Sequence, residues 1–150
     1  MPCEFTLYDM QKNRTSSSKG KPNKEGPIKG SFPRIFWIFA GPGPFFKSKR
    51  IFYVYGVQDQ NDRGKHAHHK TKQVLICLSG RVDVICDDGE KRERYILCEP
   101  NDAIYIPEMI WDEQIYVEKN SVLLVIANTN YNKDDYIEDY EKFLELKGSD

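Results

Sequence analysis

The chain has 150 residues, 39% of them hydrophobic and 13% aromatic, with 22 Lys and Arg against 23 Asp and Glu. That is one domain with room for a proper core, and a net charge of −1 gives no overall pull toward nucleic acid or an anionic membrane. No stretch approaches the roughly 20 apolar residues that span a bilayer, and Met1-Pro2-Cys3-Glu4 lacks the apolar run of a secretory leader, so a cytoplasmic location is expected.

Taken in chain order, residues 1–30 read as an N-terminal strand and a flexible insertion, rich in Lys, Ser, Gly and Pro around Ser16–Pro22. Residues 31–150 then carry short apolar runs divided by turns: Ile35–Phe39, Arg50–Val57, Gln73–Leu78, Val82–Cys86, Arg94–Cys98, Ala103–Ile106, Gln114–Val117 and Val122–Ala127. Ser79-Gly80 and Asp88-Gly89 supply tight-turn chemistry between them. Such spacing predicts an all-β sandwich or barrel. The tail differs: Asn132–Lys147 places Tyr136, Ile137, Tyr140, Phe143 and Leu144 on one helical face, with Asn132 as N-cap and Gly148 as stop. That stripe is expected to be core or interface. Cys77, Cys86 and Cys98 lie in strand-like runs without CxxC pairing, which reads as buried free thiols in a reducing compartment.

All three histidines fall in one stretch, His66, His68 and His69. On a strand, residues two apart share a face, so His66 and His68 project together while His69 points away. Two converging imidazoles either exchange protons near neutral pH or hold a metal.

The pattern His66-x-His68, then Gln73, then Gly80 resembles the first motif of the cupin superfamily, whose fold is a double-stranded β-helix or jelly-roll barrel. Metal-binding cupins usually hold Glu where this chain has Gln73, and a second motif supplies a further His where Asp112 follows the Pro107 turn. A neutral amide is a weak ligand, which favours metal-free acid/base chemistry. Arg63-Gly64-Lys65-His66-Ala67-His68, Gln73–Gly80 and Tyr136-Ile137-x-x-Tyr140-x-x-Phe143, in that order, narrow the resemblance to the sugar-nucleotide 3,4-ketoisomerases.

That resemblance implies a homodimer acting on a thymidine diphosphate-linked 4-keto-6-deoxyhexose, moving the carbonyl from C4 to C3 with no metal or redox cofactor, for 3-amino-sugar synthesis. Moving a ketone to the next carbon needs proton transfer through an enediol, which His66 and His68 suit. Tyr53 or Tyr55 is expected to bind the sugar or polarise a carbonyl. Arg50 and Arg63 are expected to meet the diphosphate or the enediolate charge, with Gln73, Asp112 and Lys65 as further substrate contacts. Two rival readings stand beside this one. One is a metal-dependent cupin using His66, His68 and Asp112, and the other is an inactive cupin that only binds a sugar nucleotide.

Overall fold

Side-chain alternation along the strands builds two facing sheets, seen in a computed structural model that describes residues 6–9, 47–58, 62–100 and 102–148. β1 (Thr6–Asp9) and β2 (Arg50–Val54) sit at opposite edges of the first sheet, whose order is β1-β7-β4-β9-β2, with β4 (Gln73–Ser79), β7 (Asp102–Ile106) and β9 (Val122–Ala127) between them. The second sheet runs β10-β3-β8-β5-β6, from β3 (Asp62–His68), β5 (Val82–Asp87), β6 (Arg92–Leu97), β8 (Trp111–Tyr116) and the two-residue β10 (Tyr136–Ile137). β1 pairs parallel with β7, and the other described pairings are antiparallel. With α1 (Tyr140–Gly148) at the tail, this is the expected all-β cupin jelly roll with a C-terminal helix.

The space between the sheets is filled by Leu75, Cys77, Val84, Leu97, Ile104, Tyr116, Leu123 and Val125, all buried. Burying side chains of this size contributes roughly 1.5–3 kcal/mol each. A second cluster, Ala67, Trp111, Ile137 and Phe143, docks α1 against the outside of the second sheet. The Tyr140 hydroxyl donates to Asp87 at 2.7 Å and fixes the helix along β5. At the β4–β5 turn Gly80 has φ +73, and a Cβ there would lie 2.6 Å from Ser121 Oγ.

The structure corrects three expectations. The tail helix begins at Tyr140 rather than Asn132. Asn132 caps a 3-10 turn (Lys133–Asp135) instead, its side chain accepting from the Asp134 amide at 3.1 Å, and Tyr136–Ile137 become a strand paired with Ala67–His68. The helical period of this segment loses to the backbone bonds that β3 offers. Strand β2 ends at Val54, short of Val57. Cys98 is exposed, whereas Cys77 and Cys86 are buried, and all three are free thiols. The run Ile35–Phe39 and the insertion lie outside the described residues. Among those residues, no helix is long and apolar enough to cross a membrane.

Candidate active site

A bulge in β3 creates the site. Gly64 stands opposite Glu113 and His66 opposite Asp112, which leaves Lys65 as one extra residue in the ladder. Gly64 and Lys65 both take positive φ, +76 and 58. One inserted residue reverses the inside-outside phase of a strand, so Arg63 and His66 wall the same cavity although they are three apart. Lys65, expected to touch substrate, is turned out instead, 56% exposed and ion-paired with Asp62 at 3.1 Å. Gly64 is required by a close approach as well as by φ, because a Cβ there would lie 2.9 Å from the Asp112 carbonyl oxygen and 3.0 Å from its carboxylate.

The cavity has a volume of about 250 Å³. Its walls are Phe52, Val54 and Val125 on the apolar side, and Arg63, Gly64, His66, Gln73, Gln114 and Tyr136 on the polar side. His66 and His68 do converge, their rings 4.9 Å apart and perpendicular. Yet their surroundings make them unequal.

His68 is buried, and both its ring nitrogens are engaged. Nδ1 meets the Asp135 carboxylate at 3.1 Å, and Nε2 meets the Gln73 amide nitrogen at 3.2 Å. An amide NH₂ only donates, so Nε2 is the acceptor and Nδ1 carries the proton. Burial, seconded by the neighbouring His66, pushes the His68 pKa down to about 4, against the pull of Asp135. This imidazole is a neutral, oriented group at physiological pH. Asp135 is itself held by the Lys70 amide at 2.8 Å, the Thr71 amide at 3.2 Å and the Thr71 hydroxyl at 2.5 Å. Burial would raise the Asp135 carboxyl, but these donors and His68 bring it below the ordinary carboxylate range.

His66 stands at the cavity wall with Nε2 4.0 Å from the Asp112 carboxylate. Asp112 is 1% exposed, and burial raises its pKa while His66 and the Gln114 amide, donating at 2.8 Å, oppose that rise. The Tyr116 hydroxyl donates on to Gln114 at 3.4 Å, so Asp112, Gln114 and Tyr116 form a chain along the inner face of β8. Burial pushes the Cys77 thiol up to about 11 and leaves it unreactive.

Of the expected contacts, Arg63 and Gln73 line the cavity and Asp112 backs His66. Arg50 lies beside the wall, its guanidinium 5.1 Å from the Phe52 ring and 5.6 Å from that of Tyr131. Tyr53 and Tyr55 are not among the residues that line the cavity. They are 63% and 69% exposed, Tyr53 on the opposite face of β2 from Phe52 and Val54 and Tyr55 just past the end of the strand. The run Ile51–Tyr55 is apolar or aromatic in both phases, so its sequence does not say which face turns inward.

Asp135 and Tyr136 are hidden in the sequence by the helical period of residues 132–147; here Asp135 ends a 3-10 turn and Tyr136 opens β10. The metal reading needs His66, His68 and Asp112 around one ion. His68 turns its nitrogens to Asp135 and Gln73 instead, and among the described residues no three His, Cys, Asp or Glu side chains are arranged as ligands.

Residues 44–148 match the family described as FdtA: WxcM-like, C-terminal. The chain is 36% identical, over 98 residues, to the TDP-4-oxo-6-deoxy-alpha-D-glucose-3,4-oxoisomerase of Aneurinibacillus thermoaerophilus, covering 65% of this chain and 70% of that protein. It resembles the solved structure of WlaRA, a TDP-fucose-3,4-ketoisomerase from Campylobacter jejuni, at 39% identity and TM-score 0.66, over 68% of this chain and 76% of that one. It also resembles QdtA, a sugar 3,4-ketoisomerase from Thermoanaerobacterium thermosaccharolyticum solved with TDP, at 33% identity and TM-score 0.67, over 69% and 76%.

Proposed function

The chain belongs to the FdtA family of WxcM-like C-terminal domains and is a sugar-nucleotide 3,4-ketoisomerase, and on that premise we propose that His66 moves the carbonyl of a thymidine diphosphate-linked 4-keto-6-deoxyhexose from C4 to C3. The imidazole takes the proton from C3, an enediol forms across C3 and C4, and the same imidazole returns a proton to C4. The buried carboxylate of Asp112 stabilises the imidazolium between those two events. His68 is the positioning residue: neutral and pinned, it holds the His66 ring edge-on from 4.9 Å. The two histidines, expected to act alike, thus have different tasks.

The cavity has room for a hexose ring but not for a whole sugar nucleotide, so the diphosphate belongs at the rim, with Arg63 and Arg50. The 3-keto product is set up for amination at C3. We place the homodimer contact on the outward face of β2 and just past its end, where Ile51, Tyr53 and Tyr55 are 64%, 63% and 69% exposed, and the reaction in the cytoplasm, with which the free thiols of Cys77, Cys86 and Cys98 are compatible.

The observation that carries this reading is His66 at the cavity wall with a buried carboxylate 4.0 Å behind it. The test is incubation with a TDP-4-keto-6-deoxy sugar and an aminotransferase selective for 3-keto sugars. A 3-amino sugar is expected with the wild-type chain, and roughly 10²–10⁴ less of it per unit time with His66→Asn. No 3-amino sugar from the wild type, with binding of the sugar nucleotide retained, would leave the chain as a binding protein only.

A further inference from the structure

Moving a ketone by one carbon requires protons to be managed at two oxygens as well as two carbons. On the functional reading above, His66 serves the carbons, and something else must serve O4 and O3. Most of the polar cavity wall is unsuited to this. The Gln73 and Gln114 amides do not exchange protons near neutral pH, and Arg63 does not give its proton up. His68 has both nitrogens engaged, and Asp112 sits behind His66 rather than on the wall.

Among the described wall residues one phenol remains, Tyr136. Its ring lies 4.9 Å from His66 and 4.4 Å from His68, so it faces the space that His66 addresses. Its place is fixed by the backbone. Tyr136 pairs with His68 across the β10–β3 ladder, and the preceding residue, Asp135, clamps His68 Nδ1 at 3.1 Å. Among the described residues the Tyr136 hydroxyl has no hydrogen-bond partner, and its ring contacts are to His66, His68 and Tyr131.

We propose that Tyr136 is the acid and base at the substrate oxygens, a second catalytic residue beside His66. In the first half, His66 takes the proton from C3 and the C–H electron pair becomes the C3=C4 bond. The C4 carbonyl π pair then takes the Tyr136 proton, giving the enediol and a phenolate. In the second half the phenolate removes the proton from the C3 hydroxyl, whose electrons form the new C3 carbonyl. The C3=C4 pair takes the proton from the His66 imidazolium at C4. Each group ends as it began, and no co-reactant is consumed. One hydroxyl can serve both oxygens because they sit on neighbouring carbons.

The test is Tyr136→Phe in the full chain. It keeps the ring against both imidazoles and removes only the hydroxyl. The expected result is a fall in kcat of roughly 10²–10⁴, the range for a lost acid/base group, with KM changed no more than a few-fold and with melting temperature and TDP affinity unchanged. A near wild-type kcat, or a raised KM at unchanged kcat, would overturn the proposal and leave Tyr136 as packing or binding. Fluorotyrosine inserted at position 136 gives a second arm that retains the hydroxyl and the fold while making the phenol more acidic. A kcat indifferent to that change would equally overturn it. Wild-type turnover is measured first, so that an inactive wild type counts against the isomerase reading and an active wild type with an active Phe variant counts against this inference alone.

Discussion

Asp135 holds Nδ1 of His68 at 3.1 Å across 67 positions of chain. The bond joins the tail to the strand that carries the histidine pair and fixes the His68 tautomer, while burial keeps that ring neutral. The consequence for pH is direct. An unfolded His68 takes its proton near 6.5, and the folded one only near 4. Between those values the unfolded chain binds more protons, so stability falls as pH falls from 6.5 to 4, then levels off for this group. The expected loss is about 3 kcal/mol over the window. Urea midpoints at pH 7, 5.5 and 4.5 measure it. A His68→Gln variant should show a flatter pH dependence, and an identical slope in the variant would reject the assignment.

Replacing Asp112 by Asn should separate stability from activity. Burial raises the Asp112 carboxyl, so its ionised form costs folding energy at neutral pH, a cost absent once it is protonated. Asn still accepts from Gln114. The melting temperature at pH 7 should therefore rise or hold while kcat/KM falls, because the anion behind the imidazole that carries the proton in turnover is gone. An unchanged rate would remove Asp112 from the mechanism.

Gly64→Ala should damage both fold and site. The added Cβ meets the Asp112 carbonyl at 2.9 Å at a φ of +76, and a strained position of that kind costs about 1–3 kcal/mol. Calorimetry should show a lowered melting temperature, and the remaining folded protein should have reduced kcat because Asp112 is displaced from His66. A variant as stable and as active as wild type would mean that the bulge does not set the site.

Arg50→Ala tests the rim. Its guanidinium sits between Phe52 and Tyr131, and its Nε is buried without a hydrogen-bond partner among the described residues. A charge-assisted bond to phosphate is worth about 1.5–3 kcal/mol, so KM should rise roughly 10- to 100-fold with kcat little altered. Equal affinity of variant and wild type for TDP would place the diphosphate elsewhere.

Activity should survive exhaustive chelation, since His68 engages both nitrogens with Asp135 and Gln73 and leaves neither for an ion beside His66 and Asp112. Loss of turnover with EDTA, restored by one divalent metal, would bring back the metal-dependent reading.

The fold and the histidine pair were legible because they rest on local signals: turn residues, short apolar runs and the parity of His66 and His68. Asp112 was legible through the motif that places it after the Pro107 turn. The unequal surroundings of the histidines were not, because they depend on Asp135 and Gln73 arriving from outside the strand. Tyr136 was hidden by a competing pattern. Residues 132–147 carry a helical period, and only the presence of an open edge on β3 draws Tyr136 and Ile137 into a strand. The inward phase of β2 was unreadable because Phe52 and Tyr53 are equally good strand residues.

The pairing of β10 with β3 also orders events in time. A ribosome makes the histidine strand long before the tail, so a growing chain carries His66 and His68 while the wall supplied by Tyr136 and the anchor supplied by Asp135 do not yet exist. The clamp on the histidine pair therefore waits on a residue made 67 positions after His68, and a copy cut short before Asp135 carries the histidines without it.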